Sequence, residues 1–178
     1  MKVRIIKVET GELANADIEE NVSLALPSLQ DGWRFNFDKE SKRTPNASTY
    51  VLVTEETPHI IEGCLIFQMK NGVMPYGAFI EVALHNRGDE RKYDHVAGCL
   101  IAFAFRLSLV KGKDFYQGQL FFDVQEKEKE DEVKLMRNYS SRYGAKRLGD
   151  STKMLIHDDD GLALIEKYLI WEQDSAKS

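Results

Sequence analysis

Residues 76–110 read YGAFIEVALHNRGDERKYDHVAGCLIAFAFRLSLV, and their pattern sets the class of fold. Tyr76–Leu84 is apolar along most of its length, as a central strand covered on both faces is. A polar loop follows at 85–95. From Val96 to Val110 the chain is apolar nearly all round, too long for a strand, so it reads as a helix packed against a sheet. Gly112 stops that helix, and Gln119–Val124 (QLFFDV) is strand-like again. A strand–helix–strand unit of this size closes by a right-handed crossover, which makes strands 76–84 and 119–124 parallel.

On the N-terminal side, Asn71-Gly72 is a turn dipeptide. Ahead of it, Tyr50–Thr54 and Ile60–Met69 read as a hairpin-like pair separated by EETPH. Residues 2–9 (KVRIIKVE) are β-rich and end at Thr10-Gly11. Between them, Ile18, Val22 and Ala25/Leu26 fall at helical spacing, with Asn15 or Asp17 as N-cap and Pro27 as terminator, which predicts a first helix. Residues 28–48 are polar and irregular. Trp33, Phe35 and Phe37 alternate there as in a short strand, and SKRTPNAS reads as a loop.

On the C-terminal side, the charge run EKEKEDE at 126–132 leads into a helix over about 129–143. Its apolar face is Val133, Met136 and Tyr139/Tyr143, its acidic start favours the helix dipole, and Gly144 closes it. Lys153–Ile156 is a strand, Gly161–Leu169 a last short helix, and EQDSAKS a polar tail. Strands first, then strands alternating with helices, predict an α/β domain with a mixed sheet covered by helices. The expected organisation is a single domain at 1–170 with a tail at 171–178.

Composition narrows the function classes. The chain has 178 residues, 43% hydrophobic and 30% charged, with a net charge of −5. A length of this order buries about 70% of the unfolded chain's surface, so the core needs no staples. The acidic balance argues against nucleic acid as a partner. The longest apolar stretch, Val96–Phe105, is too short to span a bilayer, so no membrane association is expected. The first residues, MKVRIIKVETGE, read as a strand rather than a secretory leader. Cys64 and Cys99 sit in apolar runs and read as buried free thiols, which points to a cytoplasmic protein. The four His residues share no ligand spacing, so no metal is expected. A Gly-x-Ser-x-Gly elbow is absent, which speaks against an α/β hydrolase.

The order of elements, together with local residues, resembles the GNAT superfamily of acetyl-CoA-dependent N-acetyltransferases. The resemblance covers roughly residues 1–157 and is best between 76 and 148. In that family the central strand leads into a pyrophosphate-binding loop, Gln/Arg-x-x-Gly-x-Gly/Ala, and then a helix. Free amides at a helix N-terminus make an anion site, and glycine lets backbone approach phosphate. Here IEVALHNRGDERKYDHVAGCLIAFA is similar to a subgroup with a longer loop. Glu81, Ala83, Asn86, Arg87, Tyr93, Val96 and Leu100 match its pattern. Lys92 takes the Gln/Arg position, His95 the first Gly position, Ala97 the Gly/Ala position, and Leu84 stands where the subgroup has Pro. Gly98 lies next door. The loop is therefore a degenerate one. NYSSRYGAKRLG resembles the family's tyrosine-bearing helix end. The family places a general-acid Tyr four residues before the Gly; here Tyr139 lies five before Gly144.

The resemblance implies acetyl transfer from acetyl-CoA to an amine of a small molecule or protein, by direct attack and without a covalent enzyme intermediate. It implies catalytic roles for Glu81 and Tyr139, and His85 at the strand's end is a third candidate because its charge changes near neutral pH. It implies cofactor contacts from Val82, Ala83, Leu84, Arg87, Lys92, Tyr93, His95, Val96, Ala97 and Gly98. Two readings stand for several of these. Burial would raise the Glu81 pKa toward the range of a base, or Glu81 is paired with a nearby Arg or Lys. His85 relays a proton or is a loop histidine. Arg87, Arg91 and Lys92 attract phosphates or form a solvated loop balanced by Asp89, Glu90 and Asp94. The alternatives for the whole chain are a GNAT-fold binding module without catalysis, or an interaction protein working through Trp33–Phe37 or Trp171. A monomer or a homodimer is expected.

Overall fold

The computed structural model describes residues 1–21, 23–126 and 128–169. Trp171 and the 171–178 tail lie outside them. Nine strands among the described residues form one sheet in the order β6-β1-β2-β3-β4-β5-β7-β9-β8. These are β1 (Lys2–Lys7), β2 (Leu13–Glu20), β3 (Ala47–Thr54), β4 (Gly63–Lys70), β5 (Met74–Val82), β6 (Tyr93–Asp94), β7 (Gln119–Asp123), β8 (Lys146–Arg147) and β9 (Lys153–His157). The helices are α1 (Phe37–Arg43), α2 (Val96–Lys111), α3 (Lys129–Tyr143) and α4 (Asp158–Tyr168). Every strand pair is antiparallel except β5 with β7, which is parallel and flanks the α2 connection. The mixed α/β architecture and the parallel central pair agree with the sequence reading.

Three parts of the N-terminal reading are corrected. The first helix expected around Ile18 is strand β2. Ala14, Ala16 and Ile18 are buried and alternate with more exposed neighbours, a period of two that places one side on the core. Pairing with both β1 and β3 overrides the helical spacing, and neither Asn15 nor Asp17 caps a helix. The expected short strand at Trp33–Phe37 is a turn running into α1. Asn36 Oδ1 accepts the Lys39 amide at 2.9 Å and starts the helix, so Phe37 is its first residue. Ser41–Arg43 belong to this helix rather than to a loop.

The sheet separates two cores. On one face α2 packs across β4, β5 and β7 and carries α4 on its back, which explains why its sequence is apolar on every side. On the other face Trp33, Phe37, Val51, Val53, Cys64, Ile66 and Ala83 form a smaller cluster beneath the 24–37 segment and α1. The two helices α2 and α4 run antiparallel at close approach. Gly98, near the start of α2, lies against the Tyr168 ring at the end of α4, and Gly161, near the start of α4, lies against the Phe105 ring of α2. A Cβ at either glycine would overlap the ring it faces. Gly161→Ala is expected to lower stability by about 1–3 kcal/mol, the usual cost of overpacking. Urea denaturation would check this, and a change below about 0.5 kcal/mol would mean that the helices have slack to absorb a methyl group.

Candidate functional site

The parallel ladder between β5 and β7 is two residues long, Tyr76 opposite Phe121 and Gly77 opposite Phe122. The β4–β5 register shifts at Ile66/Phe67, which gives β5 one extra residue at Ala78; such a bulge bends a strand. Beyond it β5 stays paired with β4 as far as Val82, while β7 is held by β9 along its whole length. The two central strands therefore part, and from Ala78 onward the β5 edge that faces β7 has no strand beside it among the described residues. Ala83 N donates to Glu62 O, on the β4 side, at 2.9 Å. The carbonyl of Val82, one residue earlier, is taken by Arg87 through Nε at 2.9 Å and Nη2 at 2.7 Å.

Two clefts open beside this wedge, and Leu135 and Tyr139 of α3 line both. The first, about 460 Å³, lies over the start of α2. Val82, Tyr93, His95, Val96, Ala97 and Gly98 line it, together with Arg91, Asn138, Arg142, Tyr143, Lys167 and Tyr168. The N-cap of α2 is His95, in the left-handed region at φ 74°, and its side chain makes no capping hydrogen bond. Amides left uncapped at a helix start, with the positive end of the dipole behind them, favour an anion. Arg142 and Lys167 add positive charge beside them, while Arg91 is held by Asp94 at 3.0 Å. An anionic ligand fits this donor set.

The imidazole of His95 is one of the side chains that line the cleft. It packs edge-on against Tyr168, with ring centroids 5.2 Å apart. Its pKa is lowered, first by burial and then by Lys167 and Arg142, against the opposing pull of Asp94. The carboxyl of Asp94 is itself held low. Burial pushes it up, but the His95 amide and Arg91, which both donate to it, outweigh burial.

The second cleft, about 440 Å³, opens toward α1 and the 24–37 segment and is lined by Arg34, Phe35, Phe79, Ile80, Asp123, Glu126 and others. Tyr139 packs on Phe122 and Tyr143, at centroid distances of 5.1 and 5.8 Å. Its phenol pKa is raised, chiefly by burial; the Glu126 charge adds to the rise and the Arg34 charge opposes it. Tyr143 beside it is pushed up to about 12, mainly by burial. Both therefore keep their protons at neutral pH.

The remaining residues singled out in the sequence are placed as follows. Glu81 is buried, lines neither cleft, and accepts from the Arg34 amide at 2.8 Å, the Phe35 amide at 3.2 Å and Arg87 Nη2 at 2.5 Å. His85 contacts buried Glu62 through Nε2 at 2.5 Å and lines neither cleft. Ala83 belongs to the smaller core, Leu84 is exposed, and Arg87 bridges Glu81 and Val82. Lys92 is exposed over the Tyr93 ring. Arg142, Lys167 and Tyr168 were missed in the sequence. Leu135, Asn138, Tyr139 and Arg142 fall at spacings of three and four, a helix-face signal that could have found Arg142.

No protein-family model and no curated protein matches the chain. Solved structures similar to it include the following three. One is a GNAT family acetyltransferase from Elizabethkingia anophelis with acetyl-CoA bound: 12% identity, TM-score 0.47, covering 79% of this chain and 94% of that one. Another is a tyrosine-to-phenylalanine mutant of the toxin AtaT bound to the C-terminus of the antitoxin AtaR and acetyl-CoA: 14% identity, TM-score 0.54, covering 85% and 97%. The third is the same mutant toxin bound to the antitoxin C-terminus: 15% identity, TM-score 0.52, covering 84% and 97%. The chain has the GNAT fold that its element order resembles.

The His95 environment makes a direct prediction. A lowered pKa means that folding favours the neutral ring; that contribution is present above the ordinary value and is lost as pH falls through the folded one. In a histidine NMR titration, His95 should protonate below the ordinary 6.5. Lys167→Met should move its midpoint upward, because a nearby positive charge is gone. A downward or absent movement would show that Lys167 does not face the ring.

Proposed function

We propose that this chain is an acetyltransferase that transfers the acetyl group of acetyl-CoA to an amine by direct attack. The observation that carries the reading is the wedge between β5 and β7, which joins the anion-favouring cleft over α2 to a second cleft across a wall made by Leu135 and Tyr139. A cosubstrate with phosphates at one end and a thioester at the other suits a path whose phosphates lie in the first cleft and whose arm reaches the β5 edge in the second, where the acceptor meets it. A chain of the same fold, the AtaT mutant, has been solved with acetyl-CoA.

In this reading the phosphates lie at the amides of Val96, Ala97 and Gly98, with Arg142 and Lys167 beside them. The amide-bearing arm lies along the unpaired β5 edge between Ala78 and Glu81, and Val82 closes that edge because Arg87 already occupies its carbonyl. An N–H of that edge polarises the thioester carbonyl. The neutral amine attacks the carbonyl carbon, the C–S bond breaks, Tyr139 protonates the departing thiolate, and the phenolate recovers a proton from the nitrogen. Its raised pKa keeps the phenol protonated for that step. Glu81 acts through what it holds. Its carboxylate fixes the backbone of Arg34 and Phe35 and so sets one wall of the acceptor cleft. His85 has a holding role at the strand end through Glu62.

One observation favours the alternative of a binding module without catalysis: His95 stands where the family has glycine, in the left-handed region, beside the helix start. Calorimetry separates the two readings. Acetyl-CoA should bind the intact chain, and Ala97→Glu should abolish binding by placing a carboxylate among the phosphates. Arg142→Ala combined with Lys167→Ala should weaken it about 10–100-fold and flatten its salt dependence. Tyr139→Phe should leave that affinity unchanged and lower kcat by about 10²–10⁴-fold. An intact chain that does not bind acetyl-CoA is not an acetyltransferase.

A further inference from the structure

The second cleft contains a carboxylate whose partner is easily exchanged. Glu126 follows β7, lines the cleft, and has a side chain only 17% exposed. It is met by the Arg34 guanidinium in a two-pronged contact, Nη1 to Oε1 at 2.7 Å and Nη2 to Oε2 at 2.8 Å. A carboxylate this far out of water needs a cation. The other two acids of the cleft are differently placed. Asp123 already accepts from the Tyr76 hydroxyl and from Thr152 Oγ1. Glu40 stands on α1, at the far wall. Glu126 is the acid whose charge reaches the Tyr139 phenol.

Arg34 is built to let go. Its backbone is fixed by the bond from its amide to Glu81, but its side chain is 46% exposed, so the guanidinium can return to water without disturbing the wall. We propose that Glu126 is the seat of the acceptor's ammonium group, and that Arg34 holds this seat until a primary ammonium displaces it. This assignment rests on the acetyltransferase reading. It gives that reaction its proton acceptor. Glu126 takes one proton from R–NH₃⁺ and becomes a carboxylic acid. The amine nitrogen forms the C–N bond to the thioester carbonyl, and the C–S bond breaks with its electron pair on sulfur. Tyr139 gives its proton to that sulfur and recovers one from the nitrogen. The products are an N-acetylated amine, a free thiol and one proton that leaves from Glu126 to water.

The test needs no knowledge of the natural acceptor. The full chain is labelled with ¹³C at its glutamate carboxyls, and the Glu126 resonance is identified by its loss in Glu126→Gln. n-Butylammonium chloride is then titrated in at constant ionic strength. The Glu126 resonance should move and saturate. In Arg34→Met the same movement should saturate at about threefold lower amine concentration, the release of one part-exposed ion pair. An ion pair with a purely structural role predicts the opposite: loss of Arg34 would loosen the cleft and weaken amine binding. A Glu126 resonance that does not respond to the amine, or a weaker response in Arg34→Met, overturns the assignment. Acetyl-CoA affinity, measured on the same samples, reports separately on the reading beneath it.

Discussion

The whole site depends on the early parting of β5 and β7. Neighbouring parallel strands normally continue their ladder, because each unpaired N–H and C=O that is removed from water costs free energy. Here the ladder ends after Gly77–Phe122. Three features set that end. The extra residue at Ala78 bends β5 away. The pairing of β7 with β9 from Gln119 to Asp123 draws it in the other direction. Tyr139 then stands against Phe122 beside the gap. A strand edge kept open in this way is a row of oriented backbone groups, a surface that suits an extended ligand carrying amides of its own.

Charge is distributed around the gap in two different ways. The chain is acidic overall, with a net charge of −5, yet the cleft over α2 combines the positive end of a 16-residue helix with Arg142 and Lys167. Of the two acids that line it, Asp89 and Asp94, the one next to the helix start, Asp94, is occupied by Arg91 and the His95 amide. The opposite cleft balances Arg34, Arg43 and Lys70 against Glu40, Asp123 and Glu126. Complementary placement of this kind governs which end of a ligand enters where more than it governs raw affinity.

The sequence carried most of the sheet and the site's central elements. The buried helix α2 was legible because fifteen apolar-rich residues cannot be solvated. The parallel pair was legible because a crossover of that length has one common geometry, and α3 because its acidic start, apolar spacing and Gly144 agree with one another. What failed was the stretch from residue 13 to residue 48; the strand expected before it is β1. Ile18, Val22 and Leu26 fit a helical period as well as Ala14, Ala16 and Ile18 fit a strand, and pairing partners distant in sequence decided between them. The contacts of Glu81 were hidden for a related reason. Two of its three donors are backbone amides of Arg34 and Phe35, and a backbone donor leaves no trace in residue type. Lys167 and Tyr168 were missed because only the antiparallel packing of α4 on α2, set by Gly98 and Gly161, brings the end of one helix to the start of the other.

Glu81 shows how one buried charge organises groups it does not touch. A carboxylate removed from water needs several donors, and it finds them in Arg87 and in the amides of Arg34 and Phe35. Taking those amides fixes a loop that has no strand of its own to pair with. Fixing the loop aims the Arg34 side chain past β5, where Glu126 receives it beyond the end of β7. The two strands that part at Gly77 are thus tied again farther along, by side chains rather than by backbone. A backbone ladder there would close the wedge permanently. A part-exposed ion pair closes it only weakly, so a ligand that brings its own charge can open it.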